Sequence, residues 1–160
     1  MKLIKQLLLP LIIVLLCVSP LNEAASSING KYYALSPQEI VDYAKRMDGR
    51  KAIFIYASWC PHCRRAIPGL AQLEKQYPGS ILTVSVDTDT KAWASYIRKQ
   101  RDFPFYPVVL KSPDPYGLEK SLSVPYRRGV PHYILLDEKN RVVKSANMHT
   151  RNVEKFLKKK

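Results

Sequence analysis

Two of the three cysteines stand two residues apart in Trp59-Cys60-Pro61-His62-Cys63. The run Ala52-Ile53-Phe54-Ile55-Tyr56 precedes them and a helix-forming segment follows, so the first cysteine falls at a strand-to-helix junction. A thiol placed there lies over the unpaired N–H groups of the helix's first turn, whose dipole favours a thiolate. The second thiol sits one turn behind. Such a pair can close into a small disulfide and reopen when an outside thiolate attacks it, which is thiol–disulfide exchange. The competing use of CxxC is half of a zinc site. Here the other half is missing: the sequence has no second CxxC and no HxxxH, and the remaining cysteine, Cys17, lies in a segment expected to stand outside the folded domain. Neither a metal ligand nor an organic cofactor is assigned.

The elements that must position this pair can be read along the chain. Asn29 to Leu35 reads as a lead-in. Ser36-Pro37-Gln38-Glu39 has the form of a capping box with proline at the first helical position, and Ile40, Val41, Ala44 and Met47 recur at helical spacing until Asp48-Gly49. Lys51 to Ala57 predicts a buried strand. The motif helix should run from about Cys60 to Tyr77 with Ile67, Leu70, Leu73 and Tyr77 as its apolar stripe, kinked by Pro68 and stopped by Pro78-Gly79. Ile81 to Val86 predicts the next strand, and Asp87 to Thr90 offers several N-caps for a helix through about Gln100, with Trp93, Tyr96 and Ile97 facing inward.

Prolines 104, 107, 113, 115, 125 and 131 forbid a long helix in the stretch that follows. A short strand within Phe105–Leu110 and a short helix over Tyr116–Leu122 fit between them. Tyr133-Ile134-Leu135-Leu136, the turn Asp137-Glu138-Lys139-Asn140 and Arg141 to Ser145 read as a β-hairpin. Thr150 then caps a last helix whose Val153, Phe156 and Leu157 face the core. Crossovers through helices force parallel strand pairing and the hairpin adds antiparallel strands. The expected fold class is α/β, with a mixed central sheet, helices on both faces and a C-terminal β-hairpin plus helix.

The first residues belong to a different kind of segment. Met1-Lys2-Leu3-Ile4-Lys5 is basic, Leu7 to Val18 is almost wholly apolar, and Asn22 to Ser27 is small and polar, the three-part layout of a secretory signal peptide cleaved after Ser26. An uncleaved membrane anchor is the alternative, because the apolar run counted from Leu3 is nearly long enough to span. The domain expected is therefore residues 27–160, delivered to a periplasmic or secreted, oxidising setting, with possible anchoring to the inner membrane. Without Cys17, the only cysteines there are the motif pair, which leaves none for a structural disulfide. The 160 residues carry a formal net charge of +13. Nucleic acid is the reflex partner for such a charge, but export argues against it. The cations, Lys45, Arg46, Arg50, Lys51, Arg64, Arg65, Lys91, Arg98, Lys99, Arg101, Arg127 and Arg128 among them, are spread as a solvated surface suited to acidic partners or anionic headgroups.

Ala57-Ser58-Trp59-Cys60-Pro61-His62-Cys63, the strand before it and the Val130-Pro131 pair leading into the hairpin together resemble the thioredoxin superfamily over roughly residues 36–160. The spacing from Cys63 to Pro131 and the turn at 136–143 are similar to the exported TlpA/ResA-type branch, whereas the dipeptide Pro61-His62 is like that of the DsbA-type oxidases. The resemblance implies Cys60 as attacking and Cys63 as resolving cysteine, with Pro131 as a cis-proline that packs beside the disulfide. It implies a substrate surface of Trp59, Val130 and Pro131, redox tuning by Pro61 and His62, and exchange with exported protein thiols or disulfides, resupplied by a membrane redox partner. His62 is expected to donate to the Cys60 sulfur or to place positive charge near it. Direction is open, from disulfide donor to dedicated reductant of apocytochrome c thiols. A copper-binding chaperone using Cys60, Cys63 and a histidine is the alternative of another class. One departure stands out: Phe54 occupies the position where cytosolic-type members carry a buried aspartate that accepts the resolving cysteine's proton. His132 is the nearest replacement base, with a hydrogen-bonded hairpin histidine as its plainer reading. Of Tyr56, Trp59, Phe103, Phe105, Tyr106 and Tyr126, only Trp59 is expected on the functional surface.

Overall fold

Every side chain of the strand β2 (Lys51–Tyr56) is buried, which requires cover on both faces. Alternate residues face opposite ways along a strand, so β2 feeds two separate cores. Ala52, Phe54 and Tyr56 join Cys63, Ile67, Leu70, Trp93, Val153 and Phe156. Ile53 and Ile55 join Ile40, Val41, Ala44 and Leu118. The computed structural model describes residues 32–111, 116–124 and 129–159. The leader-like residues 1–26 lie outside the described residues, as do Pro113, Pro115, Pro125, Tyr126, Arg127 and Arg128.

In chain order the remaining elements are β1 (Tyr33–Leu35), α1 (Pro37–Arg46), α2 (Pro61–Gln76), β3 (Ile81–Ser85), α3 (Thr90–Arg98), β4 (Val108–Leu110), α4 (Tyr116–Leu122), β5 (His132–Leu136), β6 (Val142–Ala146) and α5 (Thr150–Leu157). They form one mixed sheet in the order β1-β4-β3-β2-β5-β6. The pairs β1/β4, β4/β3 and β3/β2 are parallel, while β5 joins β2 and β6 joins β5 antiparallel. The α/β class and the hairpin-plus-helix ending are as expected from the sequence. Among the described residues no helix is long and apolar enough to cross a membrane.

Local chemistry explains most boundaries. Ser36 Oγ accepts from Glu39 N at 3.3 Å and Glu39 Oε2 accepts from Ser36 N at 2.7 Å, completing the capping box. The second helix runs unbroken through Pro68 and ends at Tyr77, whose N–H donates to Leu73 O.

Of the several N-caps offered for α3, Asp89 is the one used, accepting from Ala92 N at 2.9 Å, while Asp87 is taken up by Ser58 and Ser85. Three expectations need correction. Residues Tyr33–Leu35 are an edge strand rather than a lead-in, because β4 offers them a parallel partner. Thr150 is the first residue of α5 and His149 its N-cap, without a side-chain capping bond. Lys51, counted with the solvated cations, is 1% exposed, and its Nζ donates to Met47 O at 2.5 Å and Asn140 Oδ1 at 2.6 Å. A carbonyl just past α1 and a turn amide thus replace its water.

Candidate active site

The parallel strands and α2 bring the motif to the C-terminal end of β2, where the chain turns into the helix. Cys60 is the N-cap of α2, and its Sγ accepts from Cys63 N at 3.3 Å, the place a serine or aspartate oxygen takes in an ordinary cap. Pro61 follows at the first helical position, where a missing N–H costs nothing. Both cysteines are free thiols, Cys60 5% and Cys63 0% exposed. The pair is asymmetric: burial, and then a hydrogen bond to the Cys60 sulfur, raise the Cys63 thiol from its ordinary 9.0 to about 12. Cys63 keeps its proton while Cys60 stands at the helix end.

Across from the motif, Gly129, at φ +122°, turns the chain into a cis Val130–Pro131 bond. That φ is one an L side chain rarely adopts, so glycine at 129 is a backbone requirement. The Cys60 thiol donates to Val130 O at 3.6 Å, which joins the loop to the reacting sulfur. Trp59 is 66% exposed beside it, whereas Tyr56, Phe103 and Phe105 are buried and Tyr106 is half-buried. Cys60, Cys63, Trp59, Val130 and Pro131 are therefore neighbours around one end of the sheet.

His62 is placed differently from expectation. Its Nδ1 lies 2.9 Å from Arg65 Nη2, one helical turn on. A guanidinium only donates, so the imidazole accepts at Nδ1 and this pair holds the ring with its other nitrogen protonated. Arg65 is a cation beside the motif, with His62 as its acceptor.

His132 is no base for Cys63. It lies on β5 with Ile134 and Leu136 on the α1/α4 side of the sheet, opposite the motif helix, and its Nε2 is 2.8 Å from Ser145 Oγ. On the motif side, Phe54 stacks on Tyr56 at 5.5 Å and tilts against Tyr133 at 4.8 Å between ring centroids. Burial pushes the Tyr133 phenol up to about 12 and raises Tyr56 as well, so neither phenol accepts a proton at neutral pH. Neither His132 nor these two phenols takes up the Cys63 proton.

The residue that sequence reasoning missed is Asp87. It is 5% exposed and its two carboxylate oxygens accept from Ser58 N at 2.8 Å, Ser58 Oγ at 2.7 Å and Ser85 Oγ at 2.6 Å. Ser58 O in turn accepts from Arg64 Nε, and the Arg64 guanidinium lies 5.1 Å from the centre of the Tyr96 ring. This chain of contacts pins the Ser58-Trp59 turn that presents Cys60. The signal was an acid directly after a buried strand, which fits an N-cap equally well until the fold brings β3 beside β2.

Fold and site together define a dithiol domain: a free cysteine pair on a helix N-terminus, met by a cis-proline loop at one end of a mixed sheet. The family model described as thioredoxin-like matches residues 51–142, more than half of the chain, and the chain belongs to that family. A thiol:disulfide interchange protein TxlA homolog from Synechocystis is 26% identical over 103 residues, covering 63% of this chain and 43% of the relative, so the chain spans less than half that relative's length. Among solved structures, the thioredoxin domain of a thiol-disulfide oxidoreductase from Bacteroides vulgatus has a TM-score of 0.56 at 22% identity, over 72% of this chain and 82% of that one. A thiol:disulfide interchange protein from a Bacteroides species gives 0.57 at 21% identity, over 75% and 78%. The thioredoxin-family interchange protein from Chlorobium tepidum gives 0.56 at 18%, over 73% and 81%. At these identities the structural likeness is one of fold.

Proposed function

We propose that this domain is an extracytoplasmic thiol–disulfide oxidoreductase that exchanges disulfides with exported proteins through Cys60 and Cys63. The observation that carries this reading is the asymmetry of the pair: one sulfur caps the helix beside Val130, and the other is buried behind it with its proton held. In the reductive sense, Cys60 thiolate attacks a substrate disulfide, forms the mixed disulfide and expels the first substrate thiolate. Cys63 then loses its proton and attacks Cys60 Sγ, forming the Cys60–Cys63 disulfide and expelling the second thiolate, which takes up a proton. Two electrons pass to the substrate, and run backward the same steps donate a disulfide. Trp59, Val130 and Pro131 supply the surface where the substrate lies, and Asp87 holds the turn in place. The leader-like layout of residues 1–26 supports export, with membrane attachment and a membrane redox partner as parts of the same reading.

A dedicated reductive role, for example on apocytochrome c thiols, has one observation in its favour: the imidazole of His62 is engaged by Arg65 rather than by the Cys60 sulfur. The deciding experiment is the equilibrium potential of the pair, titrated against glutathione with Trp59 fluorescence as reporter. A value near about −120 mV marks a disulfide donor and one near about −270 mV a reductant. A pair with no reversible transition would sink the exchange reading. Cys63→Ser should trap mixed disulfides on Cys60 that resolve at least about a hundredfold more slowly than in the parent, readable on non-reducing gels. Cys60→Ser should trap none.

A further inference from the structure

Beside the reacting sulfur, a cleft of about 380 Å³ opens between the first turns of α2, the cis-proline loop and the connection from β6 to α5. Its lining is uneven in charge. Arg65, His62 and His149 are exposed along it, Val130 and Met148 supply apolar floor, and no carboxylate of the described residues lines it. Elsewhere among the described residues, Asp87 is committed to serines, Asp137 to Arg141 and Glu154 to Lys158. Arg65 uses one terminal nitrogen on His62. The rest of its donor fork remains suited to a carboxylate, which a guanidinium binds through two parallel N–H bonds.

Resting on the exchange reading above, we propose that this cleft selects substrates whose reacting cysteine is flanked by aspartate or glutamate, with Arg65 as the specificity-determining residue and His149 as a second donor. Cys60 donates to the carbonyl of Val130, which itself lines the cleft, so a segment whose cysteine reaches Cys60 lays its neighbouring side chain into it. The aliphatic part of that side chain meets Val130 and Met148, and its carboxylate meets the Arg65 fork.

The test uses two symmetric peptide disulfides, identical except for aspartates or lysines on either side of the cysteine. Each is reduced by the full dithiol protein to two peptide thiols while Cys60 and Cys63 become the disulfide. Rates are followed by Trp59 fluorescence at low ionic strength. The expected result is reduction of the acidic peptide about tenfold faster than the basic one, a preference abolished or reversed in Arg65→Glu, narrowed in Arg65→Gln and eroded by salt. Lys45→Glu changes net charge by the same amount from α1, on the other side of the sheet, and should keep the preference. Equal rates for the two peptides in the parent protein would overturn the proposal while leaving the exchange reading standing. So would an equal loss of preference in Lys45→Glu and Arg65→Glu, which would assign it to overall charge. Arg65-dependent binding to phosphatidylglycerol vesicles without peptide preference would also overturn it, giving the cleft to a membrane surface. Reduction of neither peptide would remove the exchange reading and this proposal with it.

Discussion

At the scale of single residues, the chemistry is set by what surrounds each sulfur. Cys63 is raised to about 12 by burial and by its bond to Cys60, so the folded dithiol form holds a proton more tightly than the unfolded chain does. The stabilisation is fully present below pH 9 and is lost as pH rises toward 12. Urea melts of the reduced protein should therefore lose stability across that window, and Cys63→Ser should flatten the loss; an unchanged slope would mean that the thiol is not held neutral. Asp87 is the other decisive residue. Asp87→Ala leaves buried Ser58 and Ser85 donors without an acceptor, and about 2–4 kcal/mol of stability should go with them. Asp87→Asn should recover part of it, measurable in the same melts. The motif cysteines were legible from spacing alone. The use of Asp87 was not, since its partner Ser58 is far away in sequence and adjacent only once β2 and β3 pair.

At the scale of elements, local signals and packing divide the work. The capping box of α1 was readable in Ser36-Pro37-Gln38-Glu39 because capping is a matter of four consecutive residues. The contact between α1 and α4 was not. A Cβ built on Gly117 would stand 2.5 Å from Pro37 Cγ. Helix propensity alone favours Gly117→Ala by about 1 kcal/mol. The proline ring cannot rotate aside, so overpacking should win and the variant should lose about 1–3 kcal/mol in thermal or urea unfolding. A stabilised variant would show that α4 shifts freely against α1. The strand β1 escaped sequence reading for a related reason: three residues carry too little periodicity, and only the parallel partner β4 makes them a strand.

For the whole molecule, redox state and stability form one thermodynamic cycle. If the folded protein makes the Cys60–Cys63 pair about 30 mV more oxidising than the unfolded chain does, its dithiol form must be about 1.4 kcal/mol more stable than its disulfide form. Paired urea melts and the glutathione titration should agree in sign and size; disagreement would mean that the two forms differ in more than the bond between the sulfurs. The sequence by itself determined the dithiol motif, the α/β class, the capping box of α1 and the hairpin, since each rests on neighbouring residues or on a period of 2 or 3.6. Tertiary structure alone decided which groups face the motif. It placed His132 on the far side of the sheet, because one step along a strand reverses a side chain's direction. It turned His62 toward Arg65, set Asp87 under the motif turn and gathered Arg65 and His149 along one cleft. Those relations join residues distant in sequence or hang on side-chain direction, and no local pattern encodes them.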